Sequence, residues 1–186
     1  MIRITGGQFK GRVIEFPPQI RPTQSRLRQA WLNSLQFFLK GARVLDLFAG
    51  SGALGIEAVS RGAEWVVWVE KNKINAHLIQ KNLLNLGIQN QGKVLIQSVN
   101  QVKDQYLKKD PFHLVFADPP YLKGWEEILL RWPWENLLAV QGLFCLEWRM
   151  QKKLKTLPQQ VSFLKKIREK RYGNNILTTY IRMSAF

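Results

Sequence analysis

The sequence is poor in cysteine and in histidine. Cys145 is its only cysteine, and His77 and His113 are its only histidines. A single cysteine cannot form an intrachain disulfide, which favours a reducing compartment, and we expect a cytoplasmic protein. Because thiol and imidazole ligands are so few, we expect no metal site and no metal requirement.

The sequence also lacks long apolar stretches. None of its apolar runs approaches the roughly 20 residues that a helix needs to cross a bilayer. The first residues, Met1-Ile2-Arg3-Ile4, do not begin the apolar core of a signal peptide. We therefore expect no membrane partner, and we expect the protein to act as a monomer.

Acidic residues are scarce relative to basic ones. The chain of 186 residues has 13 Asp and Glu against 28 Lys and Arg, which gives a formal net charge of +15. Solubility alone does not require so one-sided an excess. Hydrophobic residues make up 46% of the chain, which is enough for one full core and argues against a disordered polycation. A folded protein with this charge attracts polyanions, of which nucleic acid is the commonest.

The first forty residues differ in character from the rest. They are basic and interrupted by Gly and Pro, and they predict short strands at 3–5 and 13–16 and then a helix from about Gln24. Apolar residues spaced for one face of that helix are Leu27, Trp31, Leu35 and Phe38. We interpret residues 1–40 as a small β-hairpin and helix extension that contacts nucleic acid.

From residue 41 onward, strand and helix patterns alternate. This order is typical of an α/β domain with a mostly parallel sheet and helices on both faces. At the end, 161–171 and 176–183 flank the turn signal Gly173-Asn174-Asn175, which predicts an antiparallel hairpin. Residues 41–186 are therefore expected to form one domain. Its predicted strands before the hairpin are 43–48, 65–69, 94–97, 112–117 and 142–148, and its predicted helices are 53–61, 73–86 and 126–131.

A glycine-rich turn follows the first strand of this domain. Gly50, Gly52 and Gly55 have the spacing of the dinucleotide fingerprint, and Glu70 ends the next strand 20 residues after Gly50. Asp46 argues for a different adenosyl ligand, because a carboxylate just before the turn repels a pyrophosphate but suits an ammonium group. S-adenosylmethionine carries such a group and no phosphate. Glu70 can accept hydrogen bonds from its ribose hydroxyls.

A second motif follows the strand at 112–117. Asp118-Pro119-Pro120-Tyr121 is expected at the carboxyl edge of the sheet, beside the cofactor crevice. The exocyclic amine of guanine or adenine is a poor nucleophile, because its lone pair is delocalised into the ring. The Asp118 carboxylate and the Pro119 carbonyl can accept its two N–H groups and hold it toward the methyl donor. The two prolines stiffen the loop, and Tyr121 can stack on the base.

Positive charge is concentrated in two segments of the extension, 6–12 and 21–28. Cationic side chains near the start of a helix can reach phosphates, so the cluster favours RNA contact. For any single basic residue of these segments, a solvated surface position is about as good an explanation as an RNA contact. The basic residues concerned are Lys10, Arg12, Arg21, Arg26 and Arg28.

These motifs resemble those of known families. The stretch 42–55, together with Glu70, resembles the first motifs of class I S-adenosylmethionine-dependent methyltransferases. The tetrapeptide 118–121 resembles the signature of enzymes that methylate planar amines. With Ile4-Thr5-Gly6-Gly7, Lys10-Gly11-Arg12 and Arg21-Pro22-Thr23, the combination resembles the bacterial 16S ribosomal RNA guanine-N2 methyltransferase family over the chain to about residue 150.

This resemblance implies a reaction and a set of site residues. The implied reaction transfers a methyl group from S-adenosylmethionine, leaving S-adenosylhomocysteine, to N2 of one guanine in 16S ribosomal RNA. The substrate is expected to be an assembled or partly assembled small subunit. The implied catalytic residues are Asp118, Pro119, Pro120 and Tyr121. The implied cofactor residues are Asp46, Phe48, Gly50, Gly52 and Glu70, with Ser98 or Asn100 beside the adenine. The implied RNA contacts add Thr23 and Asn33 to the basic residues of the extension.

Two alternative functions remain open. The tetrapeptide alone also permits methylation of adenine N6 in RNA or DNA, although so short a chain leaves little room for a DNA-reading domain. The other alternative is a non-catalytic ribosome-assembly factor with a methyltransferase fold. The joint presence of Asp46, Glu70, Asp118 and Tyr121 argues against it, because a protein without activity has no physical need for that set. The C-terminal hairpin matches no pattern of the family, so its role is left open.

Overall fold

The computed structural model contains a central eight-stranded sheet and a separate two-stranded hairpin. It describes residues 2–17, 24–106, 110–121, 123–151 and 156–184, of which 24–28 and 103–106 are described by their backbone alone. The described strands are Ile2–Arg3 (β1), Val13–Ile14 (β2), Arg43–Leu47 (β3), Trp65–Val69 (β4), Gly92–Leu95 (β5), Phe112–Ala117 (β6), Leu138–Arg149 (β7), Gln160–Val161 (β8), Leu164–Tyr172 (β9) and Asn175–Arg182 (β10). The described helices are Gln24–Ser34 (α1), Gln36–Leu39 (α2), Ala53–Ser60 (α3), Lys73–Leu86 (α4), Val99–Tyr106 (α5), Trp125–Leu130 (α6) and Trp134–Leu137 (α7).

The sheet has the strand order β5-β4-β3-β6-β7-β10-β9-β8. Neighbours from β5 to β7 pair in parallel, and the pairs of β10 with β7 and β9, and of β9 with β8, are antiparallel. The predicted mostly parallel sheet with a C-terminal antiparallel hairpin is thus confirmed. The strands β3, β4 and β5 follow one another toward one edge of the sheet, and β6 then pairs with the other side of β3. Ligands of open α/β sheets bind at such a reversal, outside the carboxyl ends of the strands.

The element bounds agree closely with the sequence patterns at the centre of the sheet. β4, α4 and β6 cover the residues that the patterns predict, whereas β5 begins at Gly92, two residues early. A Cβ on Gly92 would lie 2.1 Å from the Val66 carbonyl oxygen, so the strand begins on a residue that must lack a side chain. The patterns do not predict α5, α7 or the short strand β8.

The helix predicted from Gln24 is interrupted, and this corrects the position of Phe38. Leu35 has φ −110° and ψ 6°, so α1 ends before it and α2 starts after it. The break moves the buried face by one residue, because a continuous helix would have buried Phe38. Leu39 is buried instead, and Phe38 is 51% exposed.

Apolar side chains pack on both faces of the sheet. One cluster joins α1, α3 and α4 to one face and includes the fully buried rings of Trp68 and Phe116. The other joins α5, α6 and α7 to the opposite face, around Phe144 and Trp148. Apolar residues of the first forty belong to the first cluster, namely Ile4, Ile14, Trp31, Leu32, Leu35 and Leu39. The division of the chain at residue 40 stays a prediction.

The Gly6-Gly7 pair fastens the N-terminal segment to the end of α3. Ser60 donates its hydroxyl to the Gly6 carbonyl at 2.6 Å, and the Ser60 carbonyl accepts the Gln8 N–H at 2.8 Å. Gly7 has φ 76°, and a Cβ there would lie 1.7 Å from the Ser60 carbonyl oxygen. Both the conformation and the close approach therefore require glycine at this position.

Replacing Gly7 should destabilise the fold far more than replacing Gly11. Gly11 also has a positive φ, 87°, but a Cβ there meets nothing within 4 Å. We expect Gly11→Ala to cost about 1 kcal/mol of unfolding free energy through strain, and Gly7→Ala about 3 kcal/mol through strain and overlap together. Urea unfolding of the two variants measures the difference. Equal losses would show that the contact with Ser60 contributes nothing.

Candidate active site

A cavity of about 370 Å³ opens at the carboxyl edge of the sheet, where β3, β4, β6 and β7 end. Four acidic side chains line it, one from each of these strands or from the residue that follows it. They are Asp46, Glu70, Asp118 and Glu147. In the described part of its wall, Lys71 is the one basic residue. A chain with net charge +15 thus concentrates negative charge at this cavity, which favours a cationic ligand or one rich in N–H donors.

The glycine-rich turn after β3 forms one wall of the cavity. Phe48 and Gly50 line it with φ values of 59° and 56°. Gly52, with φ 74°, does not line it but starts α3 behind the wall. A Cβ on Gly55 would lie 2.2 Å from the Trp68 Nε1 atom, so this glycine lets α3 approach β4. The turn is therefore tight for reasons of packing as well as of ligand access.

Asp46 lies between the turn and the start of α3. It is 1% exposed, and its Oδ2 atom accepts the Gly55 N–H at 2.9 Å. Burial away from water, aided by the nearby charge of Glu70, raises the pKa of Asp46 to about 7 in spite of the bond from Gly55. A cation bound beside Asp46 would offset this unfavourable burial. The ammonium group of S-adenosylmethionine meets that requirement.

Glu70 holds the turn in place from the end of β4. Its Oε2 atom accepts the Gly50 N–H at 2.8 Å, and its Oε1 atom accepts the Asn72 N–H at 2.7 Å. Each carboxylate oxygen has a further lone pair, so both can still accept a hydroxyl. The position and the free acceptor capacity fit a ribose with two hydroxyls.

Apart from the acids and Lys71, the wall is apolar or weakly polar. Phe48 packs edge-to-face on Trp125, with ring centroids 4.9 Å apart. Ser98 lines the cavity, whereas Asn100 is exposed on α5 and does not. A largely apolar space beside two carboxylates fits an adenosyl group linked to a cationic amino acid, and the volume of about 370 Å³ lies in the range of small-molecule sites.

The tetrapeptide Asp118-Pro119-Pro120-Tyr121 lines the same cavity. Burial raises the pKa of Asp118 well above its usual range, and the charges of Glu147 and Asp46 add to the effect. Among the described residues, no donor forms a hydrogen bond with the Asp118 carboxylate. The carboxylate borders the open cavity, so a ligand bound there can supply the missing donors. The structure therefore brings the predicted catalytic residues and most of the predicted cofactor residues into one cavity, with Gly52 and Asn100 as the exceptions.

Two further residues join this group, and the sequence patterns did not single them out. Glu147 of β7 accepts the Tyr121 hydroxyl at 2.8 Å and the Asn175 Nδ2 amide at 2.9 Å, both on its Oε1 atom. Asn175 also donates to the Tyr121 hydroxyl oxygen at 2.9 Å. The Arg149 guanidinium carbon lies 5.8 Å from the centroid of the Tyr121 ring. Burial, with the nearby charge of Glu147, raises the pKa of Tyr121, so the phenol stays protonated and donates.

A signal for Glu147 exists in the sequence. It is the one charged residue within the apolar strand pattern 142–148, where burial of an acid needs a reason. Asn175 gave no such signal, because asparagine is common in hairpin turns. Its contact with Tyr121 joins residues 54 positions apart, across the antiparallel part of the sheet.

Of the residues predicted to contact RNA, the structure brings Lys10 and Asn33 together, and Arg12 does not line their groove. Lys10 and Asn33 line a groove beside Ser60 and Gly62, near the start of β3 and thus at the opposite edge of the sheet from Asp118. Arg12 donates to the Asn85 carbonyl at 3.2 Å at the end of α4. Arg21 and Thr23 lie outside the described residues. Arg26 and Arg28 are in α1, in its part described by the backbone alone.

The described residues contain no cluster of three or more His, Cys, Asp or Glu side chains arranged to hold a metal ion. They also contain no helix that is long and apolar enough to span a membrane.

Comparison with known proteins places the chain in a family. The family model of conserved hypothetical protein 95 matches residues 2–181. Ribosomal RNA small subunit methyltransferase D of Escherichia coli strain K12 is 36% identical over 160 residues, which cover 84% of this chain and 79% of that protein.

Solved structures agree with this match. The structure of the Escherichia coli protein yhhF superimposes with a TM-score of 0.85 at 32% identity and covers 99% of both chains. Ribosomal protein L11 methylase of Lactobacillus delbrueckii subsp. bulgaricus, at 17% identity, shares the fold, with a TM-score of 0.72 over 94% of this chain and 88% of that one. The chain therefore belongs to the family of conserved hypothetical protein 95 and ribosomal RNA small subunit methyltransferase D, within the class I S-adenosylmethionine-dependent methyltransferases.

Proposed function

We propose that the protein transfers a methyl group from S-adenosylmethionine to the exocyclic N2 amine of a guanine in 16S ribosomal RNA, within an assembled or partly assembled small subunit. The observation that carries the proposal is the position of Asp118. Its carboxylate borders the cofactor cavity and has no donor among the described residues. The name of the Escherichia coli relative supports ribosomal RNA of the small subunit as the substrate. The net charge of +15 supports a polyanionic substrate.

In this proposal, the cofactor residues bind and orient the methyl donor. Asp46 faces the ammonium group, Glu70 accepts the ribose hydroxyls, and Ser98 lies beside the adenine, with Phe48 packing against the ligand. Gly50 allows the backbone to approach closely, and Gly52 starts the helix behind it. When bound, S-adenosylmethionine supplies the methyl group from its sulfonium and leaves as S-adenosylhomocysteine. Asn100 is exposed, which leaves Ser98 as the better of the two candidates for the adenine.

The tetrapeptide positions the amine. Asp118 and the Pro119 carbonyl accept its two N–H groups, which favours pyramidal geometry at the nitrogen and aims its lone pair at the methyl carbon. As the N–C bond forms, the nitrogen must lose a proton. The Asp118 carboxylate can take it, and its raised pKa makes it a stronger base than an exposed aspartate. Pro120 stiffens the loop, and the Tyr121 ring stacks on the base.

The extension contributes RNA contacts in this proposal, and the protein acts as a monomer. Residues 1–40 form the RNA-contacting extension of a methyltransferase domain at 41–186. Lys10 and Asn33 lie at the far edge of the sheet, so they would bind RNA remote from the target base. Phe37 is 95% exposed in the same groove and offers a surface on which a base can stack. Arg12, Arg21, Thr23, Arg26 and Arg28 are the remaining proposed contacts.

Transfer of labelled methyl groups tests the proposed function. Naked 16S ribosomal RNA, small subunits and DNA are incubated with the protein and labelled S-adenosylmethionine, and the labelled nucleoside is identified by chromatography. We expect N2-methylguanosine from a small-subunit substrate. Label in N6-methyladenosine would favour the adenine alternative. No label on any substrate would favour a non-catalytic assembly factor.

Cofactor binding should weaken as the pH falls below 7. The pKa of Asp46 is raised to about 7 by burial, so its carboxylate is ionised above that pH and protonated below it. Only the ionised form attracts an ammonium group, so affinity should fall by up to about tenfold per pH unit between pH 7 and pH 5.5. Calorimetric titration with S-adenosylmethionine at several pH values measures this. Asp46→Asn should bind weakly with a flat profile, and an unchanged slope in that variant would assign the titration to another group.

A further inference from the structure

A second carboxylate stands beside Asp118 in the catalytic cavity. Ala117 of β6 pairs with Leu146 of β7 in parallel register, so the residues that follow them, Asp118 and Glu147, are neighbours across the two strands. Glu147 is 4% exposed and lines the cavity. Asp118 lines the same cavity, and the charge of Glu147 contributes to raising the pKa of Asp118.

The two oxygens of Glu147 have different surroundings. Oε1 accepts hydrogen bonds from Tyr121 and Asn175. Within the part of the chain that the structure describes, Oε2 accepts none. The Tyr121 and Asn175 bonds thus fix the orientation of the carboxylate by one oxygen and leave the other as an unfilled acceptor. Two neighbouring carboxylates that face one cavity with free acceptor oxygens can receive two donors from the same ligand.

The ligand that fits this pair carries two neighbouring donors. The Watson–Crick edge of guanine presents N1–H next to the N2 amine, so it offers a donor to each carboxylate. Adenine presents its N6 amine next to an unprotonated N1, and cytosine presents its N4 amine next to an unprotonated N3. In either of these bases, a ring nitrogen lone pair would face the second carboxylate. Repulsion and an unfilled acceptor would then oppose binding.

We propose that Glu147 selects guanine by accepting its N1–H, while Asp118 accepts one N–H of the N2 amine. This inference rests on the proposed function and adds to it the group that distinguishes guanine from adenine, which the tetrapeptide alone does not do. Asn175 acts as a positioning residue, because its amide holds both Glu147 and Tyr121. The C-terminal hairpin thereby contributes to base selection.

Substitution of the target base tests the assignment. Once the methylated guanine is mapped, small subunits are reconstituted with a ligated ribosomal RNA that carries either guanine or 2-aminopurine at that position. 2-Aminopurine keeps the N2 amine but has an unprotonated N1. We expect wild-type protein to prefer guanine by at least about 100-fold in kcat/KM, since sites built to hydrogen-bond a substrate group discriminate strongly against its absence. The protein with Glu147→Gln should prefer it by less than about tenfold, because the glutamine amide can donate to that N1.

The ratio of kcat/KM between guanine and 2-aminopurine subunits distinguishes recognition of N1–H from a structural effect of the substitution. If Glu147 only supports the fold, Glu147→Gln should lower methylation of both substrates by the same factor and leave the ratio unchanged, which would overturn the assignment. Glu127→Gln, at an exposed acid on α6, is the matched control and should leave both rates unchanged.

A measurement on wild-type protein covers the case in which Glu147→Gln fails to fold. Subunits with hypoxanthine at the target keep N1–H but lack the amine, so they should compete with guanine subunits at least about tenfold better than 2-aminopurine subunits do. Equal competition, or equal methylation of guanine and 2-aminopurine, would overturn the assignment while the proposed function stands. If wild-type protein methylates no guanine in any RNA, the proposed function fails and the assignment fails with it.

Discussion

Asp118→Ala should lower turnover at least about 1,000-fold while leaving the affinity for S-adenosylmethionine within about twofold of wild type. The substitution removes both the acceptor that orients the amine and the group that takes its proton. Cofactor affinity should survive, because Asp46 and Glu70, which are proposed to hold the cofactor, do not depend on Asp118 for their hydrogen bonds. Single-turnover methyl transfer and calorimetric titration measure the two quantities on the same preparation.

Asp118→Asn separates orientation from proton transfer. Asparagine keeps one planar oxygen acceptor but cannot take a proton, so we expect a loss of about 10- to 100-fold, smaller than that of alanine. The pKa of Asp118 is raised by burial and by neighbouring acids, so its carboxylate is ionised only at higher pH than usual. The wild-type rate should therefore rise with pH through that range, and this rise should be absent from the pH profile of the Asp118→Asn protein. If alanine reduced cofactor binding and turnover equally, Asp118 would be structural.

The parts of the fold that could be predicted are those governed by local patterns. The runs at 65–69 and 112–117 are continuous and apolar, and buried parallel strands require that composition, so β4 and β6 match the prediction residue for residue. Asp46 and Glu70 could be placed together because the carboxyl ends of neighbouring parallel strands always meet at one edge. Their assignment to the cofactor stays a prediction.

The parts that could not be predicted depend on contacts between distant segments. The bonds among Tyr121, Glu147 and Asn175 arise from the pairing of β10 with β7, and no local spacing specifies that register. The role of Gly6-Gly7 is similar. The space beside Gly7 is filled by the Ser60 backbone, and the local sequence does not specify this contact between distant segments. Side chains at the ends of parallel strands can thus be predicted to lie together more easily than side chains that meet across the antiparallel part of the sheet.

The placement of Lys10 and Asn33 shows a further limit of charge patterns. A cluster of cations along the sequence predicts a polyanion but not the face of the fold on which it binds. The two residues share a groove at the edge of the sheet opposite Asp118. As RNA contacts, they imply a substrate that extends across the molecule, which fits an assembled subunit better than a short single strand.

Glu70→Ala should weaken S-adenosylmethionine binding by about 100- to 1,000-fold, roughly 3–4 kcal/mol. The loss has two sources. The carboxylate fixes the turn through the N–H groups of Gly50 and Asn72, at 2.8 and 2.7 Å, and its remaining lone pairs are proposed to accept the ribose hydroxyls. Hydrogen bonds to a charged group contribute about 1.5–3 kcal/mol each. The loss of the two proposed bonds from the ribose hydroxyls is therefore enough to account for the expected effect. Calorimetric titration of the two proteins measures it directly.

Two further variants make the interpretation of Glu70→Ala unambiguous. Glu70→Gln keeps one acceptor oxygen and should fall between wild type and alanine, at about tenfold weaker binding. Glu64→Ala, at an exposed acid just before β4, removes the same charge without touching the turn and should bind as wild type does. If Glu70 only shapes the turn, the Glu70→Ala protein should unfold at a lower temperature than wild type. Its affinity for the cofactor should nevertheless stay within about fivefold of wild type. That outcome would remove Glu70 from the binding site, whereas a large loss of affinity with an unchanged melting temperature would support direct contact of its carboxylate with the ribose.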